Sequence, residues 1–226
     1  MFTSIAAYHF VAIDDPEAVA ARVRAWAEQE SLLGTVLVAG EGINLFLAGA
    51  DAGIAAFLAL LRGDARFAGI FAKHSRSATA PFARLKVKVK PEIISFRRDG
   101  ASPLEGRAPA VAPADLARWI ARGSDDEGRR LVDNFTELPE ALQPHRETLA
   151  DATVVGFCTG GIRCEKAVNW MRSEGFDHAL QLDGGILGYF EAVGGAGYDG
   201  RCFVFDERIA LDPRLRPLSD EASAPA

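Results

Sequence analysis

Phe157–Lys166 reads FCTGGIRCEK and sets Cys158 and Cys164 six positions apart around Gly160, Gly161 and Arg163. A strand, Thr153–Phe157, is expected to run into this loop, and a helix, Lys166–Glu174, to leave it. Backbone N–H groups can then converge on Cys158 Sγ at a helix N-terminus, where negative charge is stabilised. Gly160 and Gly161 permit the tight, partly left-handed path such a cradle needs, Thr159 and Ile162 complete it, and Arg163 adds a fixed cation. An ordinary thiol titrates near about 8.5. These surroundings lower that value toward neutrality and yield a thiolate nucleophile able to hold a persulfide or another adduct. The alternative is a buried cysteine beside a glycine turn. Cys164, in the first turn of the helix, can resolve an oxidised Cys158 as a disulfide, or simply pack under the loop. Glu165 suits the helix dipole. Cys202, among apolar residues in CFVFD, reads as a core thiol.

Other chemistries fit less well. Cysteine phosphatases enclose five residues between Cys and Arg, whereas Cys158 and Arg163 enclose four, a smaller ring suited to sulfur. His9, His74, His145 and His178 share no spacing, so no metal site is expected. No flavin or dinucleotide fingerprint is present, and no cofactor is identifiable.

The elements that position this loop follow from the rest of the chain. Its 226 residues are 49% hydrophobic and 25% charged, the composition of a folded protein long enough for two domains. Three cysteines are too few, and odd in number, for a secreted disulfide scaffold. The start, MFTSIAAYHFVAIDDPE, lacks a basic flank and alternates like a strand, so neither a leader nor a membrane span is expected, and the chain reads as cytoplasmic. A strand at residues 6–13 precedes Asp14-Asp15-Pro16-Glu17, an N-cap, a first-turn proline and an early acid, which open a helix to about Glu30. GTVLVAGEGINLFLAG is a hairpin pattern about Gly40-Glu41-Gly42. A helix with Ile54, Phe57, Leu58 and Leu61 on one face and a strand from Ile70 complete β-α-β-β-α-β, the ferredoxin-like split βαβ arrangement.

Net charge is −6, yet Lys73–Arg98 carries Lys73, Arg76, Arg84, Lys86, Lys88, Lys90, Arg97 and Arg98 against Glu92. In RLKVKVK, alternation puts Lys86, Lys88 and Lys90 on one face of a strand: a phosphate-binding row, or an edge kept from aggregating by its lysines. Residues 99–113 are rich in Pro, Gly and Ala and read as a linker. Helical patterning at Pro113–Arg122, a strand at Arg130–Asp133, the cysteine strand and helix, a strand at Ala179–Leu182, the turn Asp183-Gly184-Gly185 and a helix at Ile186–Val193 imply a parallel sheet with helices. The expected α/β organisation is a ferredoxin-like domain at 1–98, a linker at 99–107, a second domain at 108–212 and a tail at 213–226.

CTGGIRCEKA resembles the active loop of rhodanese-like domains. Together with EGINLFLAG, SATAPFARLKVKVKPEII, QLDGGILGYFE and CFVFDER, it is similar to the bacterial tRNA uridine hydroxylase family, over nearly the whole chain from Ala6 to about Pro217. The resemblance implies an acylphosphatase-like domain joined to a rhodanese-like one. It further implies oxygen-dependent hydroxylation of wobble uridine to 5-hydroxyuridine, tRNA as partner, molecular oxygen as co-substrate and Cys158 as the loop cysteine. Sulfur transfer through Cys158 persulfide and non-catalytic tRNA binding are the alternatives. One departure stands out: RRLVDNFTELPE joins two strings that about twenty residues separate in the family, a length that fits a strand-loop-turn unit.

Overall fold

The computed structural model describes residues 1–122, 132, 134–200, 202–203 and 210–213, which fall into two compact units, the first spanning Met1–Ser95. In that unit the chain forms β1 (Phe2–Phe10), α1 (Pro16–Gln29), β2 (Leu33–Ala39), β3 (Gly42–Gly49), α2 (Asp51–Gly63), β4 (Ala72–Ser77) and β5 (Leu85–Val89). Strand order is β4-β1-β3-β2-β5. The first four strands pair antiparallel in the split βαβ order, and β5 adds to β2 in parallel, with Thr35 opposite Lys86 and Leu37 opposite Lys88.

Alternation decides which strand residues meet the helices. Ile5, Val36, Val38, Ile43, Leu45, Leu47 and Val87 pack with Val19, Val23 and Ala27 of α1 and with Ile54, Phe57, Leu58 and Leu61 of α2. The i, i+3, i+4, i+7 stripe of α2 is thus buried as its spacing requires. Beyond β5 the chain is pinned to the hairpin: Ile93 N–H donates to Glu41 Oε1 at 2.8 Å, and Asn44 Nδ2 donates to the Ile93 carbonyl at 3.2 Å.

Asp15 occupies the N-cap position of α1 but makes no capping hydrogen bond. Its carboxylate instead pairs with Arg66 at 2.6 Å, and Arg66 also meets Asp64 at 2.7 Å. The charged hydrogen bond from Arg66 outweighs the capping site, and it holds the Asp64 carboxyl down to about 2. A depressed carboxyl stabilises the fold above its unfolded pKa and loses that contribution as pH falls from about 4 to about 2. Arg66→Met is expected to flatten this acid limb of stability, read as melting temperature against pH.

The second unit contains β6 (Ala110–Val111), α3 (Pro113–Ala121), α4 (Leu138–Leu142), α5 (Arg146–Leu149), β7 (Val154–Gly156), α6 (Ile162–Ser173), β8 (Ala179–Leu182), α7 (Gly185–Val193), β9 (Cys202–Phe203) and β10 (Ala210–Leu211). β6, β8 and β7 form a parallel sheet in that order, and β9 and β10 pair antiparallel. Neighbouring β7 residues serve opposite layers. Val154 packs against the cluster that holds Val168, Trp170 and Met171 of α6, and Val155 against the one that holds Tyr189 and Phe190 of α7, which Leu116 of α3 also flanks. This is the α/β layering expected from alternating strands and helices.

Residues 96–107 lie against α6. Phe96 stacks on Phe135 at 4.5 Å and meets Trp170 edge-on at 5.9 Å. Ala101 and Ala108 are buried, and Asn169 Nδ2 donates to the carbonyls of Ser102 at 3.3 Å and Gly106 at 2.9 Å. The linker-like composition here supplies small side chains that fit close to a helix. Of the expected Arg130–Asp133 strand only Val132 is described, and nearly all of the tail falls outside the described residues.

Candidate active site

The cysteine loop joins the C-terminal end of β7 to α6. Gly161, at φ 100°, takes the left-handed step and acts as N-cap of α6, while Gly160 keeps an ordinary φ and has open space where a Cβ would stand. The helix begins at Ile162, four residues before the expected start, so Arg163 and Cys164 both belong to its first turn. Ile162 and Cys164 are buried, and Thr159, Gly160 and Arg163 half-buried.

Cys158 is half-buried, and Gly161 N–H donates to its sulfur at 3.2 Å. A hydrogen bond from the Cys164 thiol is the main force holding the Cys158 thiol down, to about 5. Burial opposes it, and the Arg163 charge with the N–H groups of Arg163 and Gly161 add to the lowering. The same hydrogen bond, with burial and the Cys158 charge, pushes Cys164 well above the usual thiol range. The same contact thus lowers one thiol and raises the other. Arg163 Nη2 reaches Thr159 Oγ1 at 3.5 Å. The structure brings Thr159, Gly161, Arg163 and Cys164 together around Cys158, and the hydrogen bond from Cys164 is a feature that the spacing did not suggest.

The back of the loop hangs on α7. Ile186 N–H donates to the Cys158 carbonyl at 2.9 Å, and Leu187 N–H to that of Thr159 at 3.2 Å. Gly185, at φ 62°, leaves no room for a side chain: a Cβ there would stand 2.6 Å from the Cys158 carbonyl oxygen and 2.7 Å from Gly161 N. The turn Asp183-Gly184-Gly185 is therefore the floor of the loop.

Two features lay beyond sequence reasoning. Glu165 is a buried carboxylate, its side chain 5% exposed, that accepts from Arg107 Nε at 2.9 Å and from Gln181 Nε2 at 3.0 Å. Its position in the first helical turn resembles that of any dipole-favoured acid. Only Arg107, a lone cation in a Pro- and Ala-rich stretch, hinted at a distant partner. Cys202 is buried, as expected, but it also lies within electrostatic reach of Cys158 and Arg163. Burial first, then the Cys158 charge, push it to about 11.

In the first unit, Lys86 and Lys88 are exposed on β5 with Val87 buried between them. Lys90 is also exposed, and its N–H continues the ladder by donating to the Val38 carbonyl at 2.9 Å. β5 is the edge of its sheet. Among the described residues, no group of His, Cys, Asp and Glu side chains is placed to hold a metal ion, and no helix is long and apolar enough to cross a membrane.

Residues 2–93 match the family described as the UPF0176 acylphosphatase like domain. The tRNA uridine(34) hydroxylase of Xanthomonas campestris pv. campestris (strain B100) is 62% identical over 246 aligned positions, covering 99% of this chain and 97% of that one. The chain belongs to the tRNA uridine(34) hydroxylase family. The family member of Xanthomonas oryzae pv. oryzae (strain PXO99A) is 61% identical, covering 100% of this chain and 98% of its own. That of Xylella fastidiosa (strain 9a5c) is 58% identical, covering 95% and 93%. An alignment of 246 positions exceeds the 226 residues of this chain, so at least 20 positions of the strain B100 hydroxylase have no counterpart here.

Proposed function

We propose that this chain hydroxylates C5 of the wobble uridine of tRNA, with Cys158 as the reacting thiol and molecular oxygen as co-substrate, in the cytoplasm. The observation that carries the reading is the 58–62% identity, over nearly full length, to relatives named tRNA uridine(34) hydroxylase. The cysteine loop supports it chemically. A thiolate stable near neutral pH can add to C6 of uracil, which moves the C5=C6 electron pair onto C5; C5 then takes one oxygen atom of O2, a two-electron donor with two protons carries the other to water, and loss of the C5 proton re-forms C5=C6 and expels the thiolate. Arg163 and the N–H groups of the cradle hold the charge on sulfur until it reacts, and Cys164 supplies or withholds a proton beside it. Nucleoside mass spectrometry of tRNA from cells with and without the protein tests the reading: 5-hydroxyuridine should disappear with the gene and return with it.

Binding requires contacts to phosphate, and Lys86, Lys88 and Lys90 offer three exposed ammonium groups along one edge. Replacing all three with Gln is expected to weaken tRNA binding and to lower the slope of log K against log salt by up to about 3, because fewer counterions are released. Unchanged affinity and slope would remove these lysines from the interface. We read the gap relative to family members as falling between Asp133 and Asn134, because RRLVDNFTELPE joins the two family strings directly there.

A further inference from the structure

We propose that Arg107 is a positioning residue for the reacting thiol, clamping the two structures that hold the cysteine loop and neutralising Glu165 beside it. The proposal rests on Cys158 being the thiol that reacts. Arg107 comes from the stretch before β6 and touches neither sulfur. Its Nε meets Glu165 Oε1 at 2.9 Å, in the first turn of α6, one residue past Cys164. Its Nη2 meets Asp183 Oδ1 at 3.0 Å, in the turn that floors the loop. One planar guanidinium thus ties the helix leaving the loop to the turn on which the Cys158 and Thr159 carbonyls hang, a fork geometry that lysine cannot reproduce. Gln181 closes the frame from β8: its Nε2 donates to Glu165 Oε2 at 3.0 Å and to the Ala108 carbonyl at 2.9 Å.

The charge matters as much as the geometry. A buried carboxylate next to the Cys158–Cys164 pair opposes a thiolate there, and its negative charge already reaches Cys164. Arg107 is a cation on that carboxylate, which leaves the positive field of Arg163 available to Cys158. Among the described residues, the charged and titratable groups in reach of Cys158 are Cys164 and Arg163 from α6 and Cys202 from β9. Glu165 reaches Cys164, and Arg107 reaches Glu165.

The test uses the tRNA-free protein and the rate of Cys158 alkylation by iodoacetamide across pH 4 to 9, so its outcome is independent of hydroxylation. Arg107→Met is expected to raise the alkylation midpoint by about one pH unit, and Glu165→Gln, nearly isosteric, to lower it or leave it in place. The double variant should fall back toward the original midpoint. A merely structural role would move both single variants in the same direction. That result, or no movement in Arg107→Met, overturns the proposal. In turnover, Arg107→Met should lower kcat about tenfold with the KM for tRNA unchanged. A raised KM with unchanged kcat would instead make Arg107 an RNA contact and overturn it as well. If Arg107→Met does not fold, Glu165→Gln decides alone: a raised midpoint refutes the charge argument, and a lowered one supports it.

Discussion

Cys158→Ser is expected to abolish 5-hydroxyuridine formation, a loss of about 10³-fold or more, while tRNA binding is retained. The substitution keeps the size and the hydrogen bond from Gly161 but exchanges a sulfur that holds negative charge near neutral pH for a hydroxyl that does not. The loop itself should survive, because its carbonyls hang on α7 and its glycine step is unchanged. Activity is read as hydroxyuridine per tRNA by mass spectrometry, and binding by filter retention. Full activity in Cys158→Ser would displace Cys158 from the chemistry altogether.

The second large effect concerns Cys164. The Cys158 thiol, held at about 5, should be fully alkylated as thiolate by pH 7, where an ordinary thiol is still mostly protonated. Cys164→Ala removes the hydrogen bond that contributes most to this lowering, and the midpoint of Cys158 alkylation is expected to rise by at least about one pH unit. Cys164→Ser keeps a donor at that position and should hold the midpoint low. Its turnover then carries separate information, because serine cannot form a disulfide: a loss of turnover with the midpoint unchanged identifies a disulfide between Cys158 and Cys164 in the cycle. Should Cys164 prove the more reactive thiol at low pH, the two roles are exchanged.

These expectations start from ten residues of sequence, and the reason they could be read there is local. A glycine step, a helix N-terminus and an arginine five positions after the cysteine are set by short-range geometry, which a spacing pattern records. The first unit was legible for a similar reason: β1 to α2 alternate or repeat with clear periods, and a two-residue turn at Gly40-Glu41 fixes the hairpin. What the sequence concealed is long-range. Nothing in GRAPA indicates that Arg107 meets Glu165 and Asp183, and nothing in CFVFD indicates that Cys202 comes within reach of Cys158. The Pro- and Gly-rich composition of residues 99–107 describes a flexible connector and a close-packed irregular segment equally well. Only the complementary surface of α6, with Asn169 donating to two of its carbonyls, distinguishes them. Asp15 is a smaller instance: a local capping rule lost to a charged partner far along the chain.

The attachment of the cysteine loop to α7 has a consequence for biosynthesis. The carbonyls of Cys158 and Thr159 find their donors in Ile186 and Leu187, and the floor of the loop is Gly185. A nascent chain that has emerged only as far as α6 therefore carries Cys158 on an unsupported loop, without the backbone frame that fixes its geometry. Because domains generally fold as units, the loop gains this backbone frame only when α7 docks, although Cys164, Arg163 and the Gly161 N–H already lie before it in the chain. A chain stalled on the ribosome between α6 and α7 is therefore expected to hold Cys158 less firmly, read as a raised midpoint of its alkylation by iodoacetamide.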